Sequence, residues 1–214
     1  MKKLILPLLL LVAFGMLAAV ESAPSAVVGY VKYQCYTGYS YVAIPMGSGG
    51  LAEQLVENNM PNITSIFKWN SATQTWNSID YDAEFMEWTG SIPVVPGDVL
   101  LLACSGQTDF YSIGELPTPY SYTLSAGYNY INVPVTQGSI TTAEQIGDGF
   151  GTVPSIQKWI NSSQSWTSID YDSEFMEWTG SLPVQIGDVL LLSSTGSATW
   201  PVRSSDIGQL KSSK

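Results

Sequence analysis

The sequence predicts a mostly β protein made of two tandem small domains, each a β-sandwich or partly open barrel with one short helix. Three observations lead there. A long segment recurs: SIDYDAEFMEWTGSIPV at 78–94 returns as SIDYDSEFMEWTGSLPV at 168–184, with fifteen of seventeen positions identical at an offset of 90. The chain between such segments is punctuated by 19 Gly and 12 Pro, which break it into short pieces rich in Tyr and Val. Only 12% of residues are charged while 45% are hydrophobic, a composition that buries a core.

The repeat extends outward from its best-matched part. GYSYVAIP at 38–45 answers GYNYINVP at 127–134, AEQL at 52–55 answers AEQI at 143–146, GDVLLL occurs at 97 and 187, and IGEL at 113–116 answers IGQL at 207–210. The repeats are therefore 27–117 and 118–210, followed by a tail at 211–214. A stretch of about 90 residues is long enough for its own core, which fits two domains better than turns of a solenoid. The join, Leu116-Pro117-Thr118-Pro119, is short and stiffened by proline.

Each element has a local reason. Val28 to Tyr36 and Tyr39 to Ile44 flank Thr37-Gly38, and Tyr120 to Leu124 and Tyr128 to Val133 flank Ala126-Gly127; both pairs read as hairpins. A short helix is expected over Leu51 to Asn58 and over Thr142 to Gly147, the second capped by Thr141 with Glu144 three residues later. Ser65 to Asn70 and Thr75 to Asp80 form a hairpin across Ser71-Ala72-Thr73-Gln74, as do Ser155 to Ile160 and Ser165 to Asp170. Pro96-Gly97-Asp98 and Ile186-Gly187-Asp188 then turn the chain into Val99 to Leu102 and Val189 to Leu192. Four consecutive apolar residues mark a strand buried on both faces.

The first 19 residues read as a signal peptide: Lys2 and Lys3, an apolar run from Leu4 through Leu17, then the small pair Ala18-Ala19 before polar Glu21. The apolar run is too short for a membrane span. The expected product is secreted or periplasmic and not embedded in the membrane after cleavage, with a short linker at 20–26 ahead of the first repeat. Loss of Lys2 and Lys3 leaves 6 basic against 18 acidic residues, a formal charge of −12. Such a charge opposes nucleic acid, whose binding depends on Lys and Arg displacing counterions. Export also places Cys35 and Cys104 in an oxidising compartment, where a disulfide is the simplest arrangement and two buried thiols the alternative. A cross-link over that loop would stabilise by roughly 4 kcal/mol in the chain-entropy account.

Glycine, an aromatic residue, an apolar-polar-apolar-proline strand (Gly127 to Pro134), a short helix, a strand-turn-strand ending in Gln164-Ser165-Trp166 and a late glycine before an apolar strand together resemble the "GWNLISxP" module. Such modules occur in secreted and cell-surface proteins of bacteria and archaea. The resemblance covers nearly all of both repeats and implies extracellular β-modules, often in tandem, with no catalytic residues to transfer. The first repeat departs from the motif at Ser40 and Ala43.

The chain has no histidine, which removes Ser-His-Asp and Cys-His relays and imidazole metal sites, so an enzyme is not expected. Asp80, Asp82 and Glu84, repeated as Asp170, Asp172 and Glu174, alternate along the chain. In an extended strand their carboxylates would share a face, an oxygen-only set suited to Ca²⁺; the alternative is a solvated acidic loop. Trp69, Trp76, Trp159 and Trp166 are expected in the domain cores. Trp88 beside Glu87, and Trp178 beside Glu177, are the candidates for stacking on a sugar ring, against the alternative of a tucked anchor. The expected role is structural or adhesive, in an envelope or matrix, with an extracellular polysaccharide or surface protein as partner; the alternative is a divalent carbohydrate-binding protein. The sequons at Asn62 and Asn161 read as chance.

Overall fold

The computed structural model describes residues 28–47, 49–57 and 62–200. The expected signal peptide, the linker, the end of the second repeat from 201 and the tail lie outside the described residues. The chain is mostly β, organised around two five-stranded sheets with little helix. In chain order the first repeat contains β1 (Val28–Cys35), β2 (Gly38–Ala43), β3 (Gly50–Leu51), α1 (Ala52–Val56), β4 (Ile63–Asn70), β5 (Thr75–Asp82), β6 (Glu87–Trp88), β7 (Pro93–Val94), β8 (Val99–Cys104) and β9 (Thr108–Glu115). The second contains β10 (Tyr122–Leu124), β11 (Gly127–Asn132), α2 (Ala143–Phe150), β12 (Ser155–Ile160), β13 (Ser165–Asp172), β14 (Glu177–Trp178), β15 (Val189–Ser194) and β16 (Ala198–Trp200). Among the described residues no helix is long and apolar enough to cross a membrane.

The sheets run in the orders β2-β8-β4-β5-β6 and β11-β15-β12-β13-β14, all neighbours antiparallel. The β4–β5 and β12–β13 hairpins form as expected from their polar four-residue turns. The hairpins expected around Gly38 and Gly127 do not. β1 turns away from β2 and pairs along its whole length with β9, and β10 pairs with β16, making a separate two-stranded ribbon in each repeat. Their sequence pattern marked strands correctly but carried no information on partners. The helix of the second repeat also starts one residue later than expected. Thr142, not Thr141, is its N-cap, and Gln145, not Glu144, closes the capping box.

Ribbon, helix and one face of the sheet enclose a core in each repeat. The first gathers Val42, Ile66, Leu100, Leu102 and Phe110, the second Ile131, Ile146, Ile156, Leu190 and Leu192. The repeated Ala-Glu-Gln serves this closure. Ala52 and Ala143 are fully buried, while the carboxylates of Glu53 and Glu144 accept the backbone N–H of Ile92 and Leu182 in the loop near the end of the most repeated segment. Lys68 pairs with Asp98, and Lys158 with Asp188, beneath the turn that leads into the apolar strand.

Cys35 and Cys104, read as a disulfide or as two buried thiols, lie buried in the first core without a cross-link. They are neighbours: the hydrogen bond to Cys104 together with burial pushes the Cys35 thiol well above its ordinary value.

The apolar strands β8 and β15 are buried on both faces, as four successive apolar residues require. Leu100 and Leu102 face the first core, whereas Val99 joins Tyr41, Ala43 and Val189 in a third cluster that spans the two repeats. At its centre Tyr41 stacks on Tyr130, with ring centroids 5.3 Å apart, planes 18° from parallel and hydroxyls 3.1 Å apart. Around this pair the tryptophans interlock reciprocally. Trp166 lies 5.4 Å from Tyr41 and Trp76 lies 5.2 Å from Tyr130, while Trp159 and Trp69 take the flanking places at 5.8 and 6.0 Å. These four tryptophans thus pack between the repeats and not in the separate cores where they were expected. An indole buried by its own domain and one buried by a neighbour look alike in sequence.

Hydrogen bonds across the joint are reciprocal too. β2 and β11 are edge strands of their sheets, and their outward backbone groups need partners. The Gln164 side chain accepts the Tyr39 N–H at 2.7 Å and donates to the Tyr39 carbonyl at 2.6 Å; Gln74 does the same to Tyr128 at 2.7 and 3.0 Å. Each amide thus imitates one residue of an added strand. Asn161 repeats the device on Tyr41, accepting at 3.0 Å and donating at 3.2 Å. The Tyr33 hydroxyl donates to the Gly187 carbonyl at 3.0 Å and Tyr122 to that of Gly97 at 2.9 Å.

Both glutamines sit in the left-handed region, Gln74 at φ 56° and Gln164 at φ 50°. Both reach over a glycine, Gly127 or Gly38, at φ near +100°, where a Cβ would collide with the incoming amide.

Gln164→Gly sets the strain against the clasp. Glycine removes about 1 kcal/mol of left-handed strain but loses three hydrogen bonds, two to Tyr39 and one to the Asn161 carbonyl, worth up to about 1 kcal/mol each, and enlarges the unfolded ensemble. The expected result is a net loss of about 1–2 kcal/mol in urea unfolding. A raised midpoint would show that strain outweighs the clasp.

Candidate functional site

The segment shared almost unchanged by the repeats is the place to look for function. It comprises the end of β5, a turn and β6 in the first repeat, and the end of β13, a turn and β14 in the second. β6 pairs with β5 through Tyr81 opposite Trp88 and Asp82 opposite Glu87, and β14 pairs with β13 through Tyr171 opposite Trp178 and Asp172 opposite Glu177. Each segment is therefore a narrow hairpin that ends in a tip at 83–86 or 173–176.

The acidic residues do not act as one set. Asp80 and Asp82 are in β5, but the strand ends at Asp82, so Glu84 lies in the turn and the alternation that would align three carboxylates stops at the second. The same holds for Asp170, Asp172 and Glu174. Asp82 is occupied by the turn itself: its Oδ1 accepts the backbone N–H of Glu84 at 2.9 Å and of Phe85 at 3.2 Å, and Asp172 does so for Glu174 and Phe175 at 2.9 and 3.1 Å. Among the described residues no group of three acidic or cysteine side chains comes together as a cluster able to hold a metal ion.

The tryptophans behind the tips are half-buried. Trp88 packs against the first core and Trp178 against the second, in the manner of an anchor. The Trp178 indole N–H donates to Asp148 at 2.9 Å, and its benzo ring lies over Gly147 in α2, so close that a Cβ there would overlap it. Each indole also packs on the tyrosine opposite it, Tyr81 at 5.6 Å and Tyr171 at 5.4 Å. Glu87 and Glu177 are exposed beside the tip.

At the base of each hairpin Thr89 and Thr179 tie the strands together. Their N–H groups donate to the carbonyls of Asp80 and Asp170, and their hydroxyls accept the N–H of the same residues at 3.0 Å. The repeated Thr-Gly-Ser-x-Pro loop thus closes the hairpin on one side and receives the helix carboxylate on the other. Sequence reasoning missed the residues that stand farthest out, Phe85, Met86, Phe175 and Met176. The available signal was their identity in both copies, although an apolar pair next to tryptophan reads as core.

Between the repeats a cleft of about 390 Å³ is lined by Gly97, Tyr120, Tyr122, Asn129 and Tyr130. Polar groups in its wall serve the joint: the Tyr120 hydroxyl donates to Asn132, and the Gly97 carbonyl accepts from both Tyr122 and Asn132. It belongs to the joint. Comparison with protein-family models, with curated proteins and with solved structures finds no match for the chain.

Gly147→Ala tests the indole seat. In a free helix the change would stabilise by about 1 kcal/mol, but here the methyl group overlaps the Trp178 ring. Overpacking of this kind costs about 1–3 kcal/mol, so a net fall in thermal stability is expected. A rise would mean that the indole is free to leave.

Proposed function

We propose that the chain is an exported, non-enzymatic tandem β-module protein with a structural or adhesive role in an envelope or extracellular matrix. The observation that carries this reading is the joint. Reciprocal amide bonds and interlocked rings fix two copies of one hairpin segment in a single frame. A part that bridges repeated features of a large partner needs equivalent contact points at a set separation, whereas a single active site gains nothing from such duplication. The Lys-then-apolar leader, the excess of 18 acidic over 8 basic residues and the resemblance to extracellular β-modules support the same placement. An extracellular polysaccharide or a surface protein is the partner class.

Co-sedimentation of the purified protein with insoluble envelope and matrix preparations tests this. The expected outcome is that the wild type sediments and that Gln74→Gly/Gln164→Gly sediments at least tenfold less well, since loosening the frame removes the benefit of double engagement. Protein that stays in the supernatant with every preparation, or that hydrolyses chromogenic glycosides or esters, would overturn the reading.

A further inference from the structure

The most exposed part of the repeated segment is apolar. Phe85 is 68% and Met86 77% exposed, Phe175 67% and Met176 77%. None of the four belongs to either core or to the cluster between the repeats. Folding therefore supplies no reason for their recurrence.

Backbone conformation sharpens the point. Among the described residues four non-glycine residues adopt positive φ: Gln74, Gln164, Met86 and Met176, the two methionines both at 56°. Each such residue costs about 1–2 kcal/mol. For the glutamines that cost is offset inside the molecule by the clasp. The methionines stand in solvent, where glycine or asparagine would relieve the strain and remove an exposed thioether. A pair that is unfavourable on both grounds and present in both copies points outside the molecule.

The tips are built to be presented. Asp82 and Asp172 each hold two turn N–H groups, and Thr89 and Thr179 staple the base, so the conformation exists before any contact is made and little order remains to be gained on docking. Around each apolar pair stand Glu84 and Glu87, or Glu174 and Glu177, and neither 78–94 nor 168–184 contains a Lys or Arg to balance them.

We propose that each tip is a docking knob that places Phe and Met in an apolar pocket rimmed by Lys and Arg on a protein partner, and that the partner presents this pocket repeatedly. This deepens the structural or adhesive reading and rests on it for the repetition. Phe supplies the anchor and Met an adaptable filler, while the glutamates select a basic rim. A second copy of the chain is a poor occupant, because the acidic rim would meet another strongly acidic chain, −10 in full length and −12 without the leader lysines. An anionic lipid surface would repel it likewise.

A displayed library of random peptides, selected on the intact protein and depleted on Phe85→Ser/Met86→Ser/Phe175→Ser/Met176→Ser, supplies the probe. Enriched peptides should combine aromatic or aliphatic residues with Lys and Arg. The synthetic peptide should bind two per chain, more weakly as salt rises, and be lost from the fourfold variant. With the peptide densely immobilised, a variant of one tip should lose about tenfold or more in apparent affinity while the remaining tip binds free peptide as before. Unchanged thermal unfolding confirms that the variants are folded; if the fourfold variant fails this control, the two single-tip variants carry the comparison.

Several outcomes would overturn the proposal: peptides without basic residues, equal binding by the variants, tip-dependent binding to phosphatidylcholine–phosphatidylglycerol vesicles, or tip-dependent self-association in sedimentation. Undiminished co-sedimentation of the fourfold variant with envelope material would likewise remove the docking role and leave the structural reading standing.

Discussion

Every five-stranded sheet in this chain has an edge facing the other repeat, and the unpaired backbone of that edge is the constraint on which the arrangement depends. An exposed strand edge invites pairing with any other chain. Here β2 and β11 do not pair with each other. Side-chain amides from the opposite hairpin turn, Gln164 and Asn161 on one side and Gln74 on the other, supply the missing donor and acceptor. The edge is satisfied without extending the sheet, which leaves two sheets in one chain instead of one continuous sheet.

This solution explains several otherwise unrelated features. The β4–β5 and β12–β13 turns carry a glutamine in a conformation that suits glycine, and from there its amide spans to the neighbouring Tyr128 or Tyr39. Glycines at 38 and 127 keep the path open. The glutamine bonds lie at the exposed margin of the joint, whereas the Asn161 bonds to Tyr41 are partly buried beside the tyrosines and tryptophans, where a hydrogen bond in a drier setting is electrostatically stronger. Tyr41 shows the setting directly: burial, then the neighbouring Tyr130 hydroxyl, raises its phenol well above the ordinary tyrosine range.

Much of the fold was legible in the sequence because it rests on patterns that a chain must display. The duplication, the four-residue hairpin turns and the doubly buried Val-Leu-Leu-Leu strand are all of that kind. Pairing of β1 with β9 was not legible, since alternation in Val28 to Cys35 shows that a strand exists and says nothing of its partner. Trp159 and Trp166 were recognised as packing residues and assigned to the wrong surface, because water is excluded equally well by one's own core and by a neighbour. The clasp made by Gln74 and Gln164 left almost no trace, although Gln164 stands in the Gln-x-Trp end of the repeated motif. A positive φ is visible in sequence when glycine or asparagine occupies it, and these residues are neither. At the tips the spacing of Asp80, Asp82 and Glu84 was real, but the strand ended before the third residue could share a face with the other two.

Near-twofold symmetry inside one chain differs from that of a dimer in a way the joint makes visible. In a homodimer each residue must serve both sides of the axis, and the contact dissolves on dilution. Covalent linkage lifts both conditions. Asn161 grips Tyr41 although Ser71 occupies its counterpart position, and the Trp69 indole donates to Tyr128 while that of Trp159 has no partner among the described residues. The two halves have become a left and a right hand of the same part. Because the tether keeps them at high effective concentration, each can lose a contact that an independent subunit could not spare.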